Sequence, residues 1–188
     1  MTGGIGCGKS TVIAVFRQMG VPCFVADQVA AEFYEEPQFV HQVAALLGSD
    51  VVSSNGTVDK KKVASIVFAD KEKLNALNSI VHPLVRQRFD EWCLNQDSKY
   101  VLFESAILYE YGFDALMDKV ICIYLDLEER IRRVKERDNV DRAAIEARIQ
   151  NQLSAEEKMD RADWVILNYE GNPRLRQVEY IHSKFLQY

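Results

Sequence analysis

Gly3-Gly4-Ile5-Gly6-Cys7-Gly8-Lys9-Ser10 is the stretch on which the reading of this chain turns. It matches G-x-x-x-x-G-K-[ST] at every fixed position. Glycines let the backbone turn so that successive N–H groups face one anion, and the helix that follows presents its N-terminus to the same place. Lys9 would then reach the β- and γ-phosphates of a nucleotide, and the Ser10 hydroxyl would ligate magnesium. A glycine-rich turn that merely caps a helix is the plainer alternative, but it has no need of all the fixed positions at once. The motif implies nucleotide binding and leaves kinase, GTPase, ATPase and inert binding module open.

Outward from the loop, Val12, Ile13, Val15, Phe16 and Met19 recur at helical spacing, so 10–19 is read as a short buried helix closed by Gly20. Residues 22–26 read as a brief strand with Asp27 at its carboxyl end, and 100–103, 119–125 and 164–167 read as further buried strands. Helices are expected over 28–36, 37–47, 60–68, 71–80 and 83–95, with Asp59 and Asp70 as caps, then over 128–137 and 141–152. Ser154-Ala155-Glu156-Glu157 is a capping box, and Asn172-Pro173 opens a closing helix towards Tyr188. Strands separated by helices imply an α/β parallel sheet with right-handed crossovers. The helical block 28–98 is too long for a crossover and reads as a subdomain.

The chain has 188 residues, 27% of them charged and 48% hydrophobic, which suits one globular domain. The four cysteines, Cys7, Cys23, Cys93 and Cys122, form no C-x-x-C or Cys/His finger, so neither a disulfide framework nor structural zinc is expected. No apolar run approaches the roughly 18 residues of a membrane span, and the expected compartment is the cytoplasm. A net charge of −5 argues against nucleic acid as a partner, while a local basic cluster can still meet a phosphorylated small molecule.

The chain has no N-K-x-D guanine motif and little room for the extra strands of a large ATPase motor. A small kinase remains, which needs a carboxylate near the acceptor hydroxyl, a helical cap over the acceptor, and mobile basic residues over the phosphates. Asp27 is the candidate for the first, since site residues gather at carboxyl ends of strands; its plainer reading is a cap for the following helix. Arg130 to Arg148 holds seven basic residues against four acidic ones, the composition of a phosphate-facing lid in which one or two arginines would touch phosphate. Cys7, at a helix N-terminus that can lower a thiol pKa, is expected to be passive, with redox sensitivity as a side reading. His41 and His182 read as ordinary helix-face residues.

Taken together, Thr2 to Thr11, Ala26-Asp27, His82-Pro83-Leu84-Val85, Ile107-Leu108-Tyr109-Glu110, Arg137-Asp138 and Asp163-Trp164-Val165-Ile166-Leu167-Asn168 closely resemble the dephospho-CoA kinase family, in order and over essentially the whole chain. The resemblance implies a P-loop NTPase fold of the nucleoside-monophosphate-kinase kind: a parallel sheet flanked by helices, a helical substrate subdomain and a small helical lid. In these terms 1–27, 99–129 and 160–188 would be the nucleotide-binding core, 28–98 the CoA subdomain and 130–159 the lid. It implies ATP-dependent phosphorylation of the ribose 3′-hydroxyl of dephospho-CoA, the last step of coenzyme A synthesis, with ATP and Mg2+ as cofactors. Asp27 would be the catalytic base, with Lys9 and Arg137 also in catalytic roles. Gly4, Gly6, Cys7, Gly8, Lys9, Ser10 and Thr11 would hold the ATP phosphates, and Asn168 would lie near the adenine. His82 is either a substrate contact or a helix residue satisfying local backbone groups. Other small-molecule or nucleoside-monophosphate kinases, and a nucleotide-binding module without turnover, are the competing readings.

The chain departs from the family pattern in two places. Val25 stands where D-A-D is frequent, so a second carboxylate beside Asp27 is absent. Glu104-Ser105-Ala106-Ile107-Leu108 replaces D-x-P-L-L, which leaves Glu104 as the candidate to hold magnesium through water with Ser10. Within 28–98, Arg86 and Arg88 are candidates to meet the diphosphate of the substrate, whereas Lys60-Lys61-Lys62 reads as a solvated face. A phosphate loop normally leaves a buried strand of about five or six residues, yet only Met1 and Thr2 precede this one. Either residues are missing there or something else fills the slot, and a short apolar extension before Met1 is the expectation.

Overall fold

Met1 and Thr2 lie between two strands and are hydrogen-bonded to both, and this seat orders the sheet. The computed structural model describes residues 1–187, so the far end of the last expected helix, at Tyr188, lies outside the described residues. Along the chain run α1 (Lys9–Gln18), β1 (Cys23–Val25), α2 (Ala26–Phe33), α3 (Pro37–Leu47), α4 (Lys60–Val67), α5 (Lys71–Cys93), β2 (Leu102–Glu104), β3 (Ile121–Tyr124), α6 (Leu127–Asp138), α7 (Arg142–Ile149), α8 (Ala155–Arg161), β4 (Trp164–Leu167) and α9 (Arg174–Phe185). Two compact units result. One is Met1–Phe24 with the chain from Asp97 onward, and the other is Val25–Gln96.

In the first unit, β1 neighbours β2, and β3 pairs in parallel with β4 from Ile121 opposite Trp164 to Tyr124 opposite Leu167. The Met1 amino group donates to the Phe103 carbonyl at 2.6 Å and the Met1 carbonyl accepts from Ser105 at 3.1 Å. On the other side the Thr2 N–H donates to Ile121 O at 2.8 Å and its carbonyl accepts from Ile123 at 2.9 Å. Two residues thus bridge the β2 and β3 edges, and the spatial order becomes β1, β2, Met1-Thr2, β3, β4. Every residue of β2 is buried, as are Ile121, Cys122 and Ile123 of β3, which is the continuous apolar run of strands covered on both faces. Phe103 stacks between Phe24 and Phe113, with ring centroids 5.6 and 5.3 Å away. Helix α1 buries Val12, Ile13 and Phe16, and α9 buries Val178 and Ile181. Each such side chain contributes about 1.5–3 kcal/mol.

β4 has the bounds the sequence suggests, and the other three strands are shorter than expected. Tyr100, expected in β2, instead places its hydroxyl 2.6 Å from His182 Nδ1 and packs edge-on against Phe185. Near the far end of this unit Ser154 and Glu157 close the expected capping box on α8, and Asp141 caps α7. Asn139 ends α6 at φ 51°, the left-handed conformation that asparagine tolerates.

The second unit is helical. Its main departure from expectation is α5, which runs unbroken over 23 residues with Pro83 inside it, instead of as two helices. Pro83 removes one backbone donor at a cost of about 3 kcal/mol. Leu77, Val81 and Val85 carry a buried stripe through the proline at spacing four, and burial of that stripe outweighs the lost bond. The Asp70 side chain caps the start by accepting from the N–H groups of Glu72 and Lys73. Helix α2 begins two residues earlier than expected, so Asp27 stands in its first turn and not at its cap.

Candidate active site

Gly6 and Gly8 have φ of 81° and 90°, backbone that L side chains rarely adopt, and Gly8 is the residue from which α1 starts. Space is as restrictive as torsion. A Cβ on Gly3 would lie 2.5 Å from the Ile123 carbonyl oxygen and 2.7 Å from Cys7 Sγ. A Cβ on Gly6 would lie 2.6 Å from the Arg130 carbonyl oxygen, one on Gly8 would meet the Asn168 amide, and one on Gly4 would overlap the Arg130 guanidinium. The glycines therefore let β3, the start of α6 and the end of β4 close around the loop.

The loop is fastened at several points. The Cys7 N–H donates to Gly4 O at 3.1 Å, which closes the turn, and Thr11 N–H donates to Gly8 O at 3.1 Å as α1 begins. The buried Asn168 amide donates to Cys7 O at 2.6 Å from the end of β4. Gln152 Oε1 accepts from the Ile5 N–H at 3.1 Å, and the Ile5 side chain packs on the cluster of Ile131, Val134 and Ile145 between α6 and α7. The segment expected to be the lid thus holds the loop through both a hydrogen bond and apolar contact.

Lys9 Nζ donates to Gly3 O at 3.0 Å and stands 3.7 Å from Glu104 Oε1, with both side chains largely buried. Ser10, the next residue, is exposed on the first turn of α1. Glu104 and Ser10 supply hard oxygen donors of the kind magnesium takes, although among the described residues no group of three or more His, Cys, Asp or Glu gathers as a metal cluster. Cys7 is 1% exposed, and burial pushes its thiol pKa up despite the nearby Lys9 charge. Desolvation outweighs the helix terminus, so a reactive thiolate is disfavoured.

Arg137 lies exposed at the end of α6, where its Nε and Nη2 donate to the Asp138 carboxylate at 2.6 and 3.0 Å. Arg148 reaches the same carboxylate at 3.2 Å. Beside the loop stand Arg133, whose Nη1 would lie 3.7 Å from a Cβ on Gly8 and whose Nη2 donates to Asn168 O at 3.3 Å, and Arg130, 5% exposed with its guanidinium against Gly4. Sequence reading counted it only as one of seven cations. The available signal was its spacing, since Arg130 shares a helix face with the buried Val134.

In the second unit, His82 is half-buried on α5, and burial alone lowers its pKa to about 4. Arg86, one turn on, is exposed on an open groove beside Pro83, Asp90 and Leu94. Arg88 is engaged within the unit, 2.9 Å from Glu36 and 3.8 Å from Glu32, with its guanidinium 5.4 Å from the Phe33 ring centre. Of the two arginines considered for a diphosphate, only Arg86 lacks such a pairing among the described residues.

A sequence model described as dephospho-CoA kinase matches residues 1–173. The dephospho-CoA kinase of Fusobacterium nucleatum is 36% identical over 168 residues, covering 89% of this chain and 87% of that one. That of Chlorobaculum tepidum is 36% identical over 195 positions, covering 99% and 93%. Among solved structures, a Thermus thermophilus protein superposes with TM-score 0.85 at 34% identity, covering 99% of this chain and 94% of that one. The dephospho-CoA kinase of Campylobacter jejuni gives 0.69 at 26% identity, covering 99% and 95%.

Proposed function

Because the chain belongs to the dephospho-CoA kinase family, and so phosphorylates dephospho-CoA with ATP to give coenzyme A, we propose how its own residues divide that work. The acceptor is the ribose 3′-hydroxyl. Its oxygen attacks the γ-phosphorus, the bond to the ADP oxygen breaks, and the hydroxyl proton passes to the Asp27 carboxylate. Asp27 follows β1 directly and stands in the first turn of α2, where a carboxylate is held at a strand's carboxyl end.

The backbone of Gly4, Gly6, Cys7 and Gly8, with Lys9, Ser10 and Thr11, cradles the ATP phosphates. Lys9 leaves its Gly3 carbonyl for a phosphate oxygen and meets the charge that develops in transfer. Ser10 and Glu104 would hold Mg2+, whose chemistry is to neutralise charge on the β- and γ-oxygens. Arg137 exchanges its Asp138 partner for a phosphate when the lid 130–159 closes. Asn168 carries the end of β4 to the adenine side of the loop. In the subdomain 28–98, Arg86 takes the substrate diphosphate and His82, neutral at pH 7, lies with the bound acceptor. We also assign the enzyme to the cytoplasm: its cysteines are free thiols, and no helix among the described residues is long and apolar enough to cross a membrane.

The observation that carries this reading is the complete glycine loop opening on α1 with Lys9 poised between Gly3 O and Glu104. ADP release from purified protein with ATP, magnesium and a panel of dephospho-CoA, AMP and shikimate tests it. Turnover with dephospho-CoA alone is expected, and turnover only with another acceptor would overturn it.

A further inference from the structure

The arginines of the α6–α7 segment differ in how their charge is met. Arg132 pairs with Glu129 and Glu136 at 2.7 and 2.8 Å, Arg133 with Glu129 at 2.8 Å, and Arg142 with Glu128 and Glu146 at 2.6 Å each. Arg137 and Arg148 share Asp138. All of these are at least partly open to water, which would have screened an unpaired charge at little cost.

Arg130 inverts the pattern. It is 5% exposed, its Nε is buried without a hydrogen-bond partner, and among the described residues no carboxylate pairs with it. Its guanidinium lies against Gly4 closely enough that a Cβ there would overlap Nη1 and come within 3.0 Å of Cζ. Its own carbonyl oxygen faces Gly6. A desolvated guanidinium without a counter-ion is costly in the fold and is repaid only when an anion arrives. It adjoins the glycine loop read as the phosphate site.

We propose that Arg130 is a second fixed cation of the phosphate site, whose charge is balanced by the bound nucleotide and not by a protein carboxylate. It is a positioning residue: it sets the potential of the loop from behind the Gly4–Gly6 backbone and leaves contact with the reacting γ-phosphate to Lys9. A carboxylate partner here would cancel the field that attracts a polyanion. The inference rests on the reading of this loop as the ATP site.

The experiment measures ADP affinity by calorimetry, at low and high salt, together with the melting temperature of the ligand-free protein, for wild type, Arg130→Gln and Arg130→Lys. Arg130→Gln should weaken ADP binding about five- to tenfold and reduce its salt dependence, while the ligand-free melting temperature stays level or rises because an unpaired buried charge has gone. Arg130→Lys should keep most of the affinity. Wild-type affinity in Arg130→Gln would overturn the proposal. So would a Gln variant that melts lower or fails to fold, since the arginine would then be a structural support. If the wild-type protein binds no ADP, the ATP-site reading itself falls, and the two failures are told apart.

Discussion

The Asn168 side-chain amide donates to the carbonyl of Cys7 at 2.6 Å, joining the end of β4 to the apex of the phosphate loop across 161 residues of chain. The bond is buried, and the same amide group fills the space that a side chain on Gly8 would need. It fixes the direction of the Cys7 carbonyl and with it the turn of the loop. Asn168→Ala strands a buried acceptor, and a lost hydrogen bond of this kind costs about 1–3 kcal/mol. Chemical denaturation should show that loss, and ADP titration should show a parallel loss of affinity. Asn168→Asp should be worse, because a carboxylate would point at Cys7 O and towards the phosphates. An Asn168→Ala protein with unchanged affinity would mean the loop keeps its shape without this tether.

Asp27 and Lys9 separate by what each variant spares. Removing a general base typically lowers turnover by about 10²–10⁴-fold, so Asp27→Asn should lose turnover to that extent while its ATP affinity stays within about twofold, since a base removed from the transition state leaves ground-state binding in place. Lys9→Ala should lose both turnover and affinity. Steady-state kinetics beside ADP calorimetry reads the two apart. Near-wild-type turnover in Asp27→Asn would show that the proton leaves by another route.

Gly6 is constrained by torsion and by space together. Gly6→Ala places a Cβ at φ 81° and drives it against the Arg130 carbonyl and Val134 Cγ2. The backbone must shift, and strain at such positions costs about 1–3 kcal/mol each. ADP binding should fall below detection while far-UV circular dichroism keeps the wild-type helix signal. Retained binding would show that the loop tolerates the displacement of α6.

How much of this was legible beforehand depended on how local the cause was. The helix after the loop and the caps at Asp59, Asp70 and Ser154 are written in short spacings and stand in the structure as read, whereas Asp141, read as part of its helix, is the cap in front of it. The unbroken α5 was not, because a proline is a local signal and the Leu77, Val81 and Val85 stripe that overrides it acts through tertiary burial. Arg130 looked like its neighbours, since sequence counts charge and does not show which guanidinium turns inward. Glu104 was legible as a carboxylate ending a strand, but its ion pair with Lys9 joins residues 95 positions apart and needed the fold.

His82 should remain neutral well into the acid range. Its folded pKa is about 4, below the ordinary 6.5, because burial disfavours the imidazolium. Between those values the unfolded chain binds more protons than the folded one, so stability rises with pH. The contribution is complete above about pH 6.5 and is lost as pH falls through the folded value. The His82 ring proton followed by NMR should titrate near 4. In His82→Leu the acid limb of the stability profile should flatten. A midpoint near the ordinary histidine value would mean that water reaches the ring.

Met1 offers the corresponding test at the centre of the sheet. In the 188-residue chain its amino group is buried against Phe103 O, and burial lowers the pKa to about 6, with the Glu104 charge pulling the other way. The ordinary value is about 8, so between the two the unfolded state holds the extra proton and folding should strengthen as pH rises across that window. Placing an acyl group or a peptide bond ahead of Met1 removes the titrating amine, and the dependence should disappear. An added segment such as four alternating valines and isoleucines goes further, because Met1 and Thr2 show that this slot accepts hydrogen bonds from β2 and β3 on both sides. Each buried aliphatic side chain is worth about 1.5–3 kcal/mol, so the extended chain should melt well above the 188-residue form at every pH. Equal melting temperatures, or a pH slope that survives the extension, would show that the two-residue bridge already satisfies the sheet.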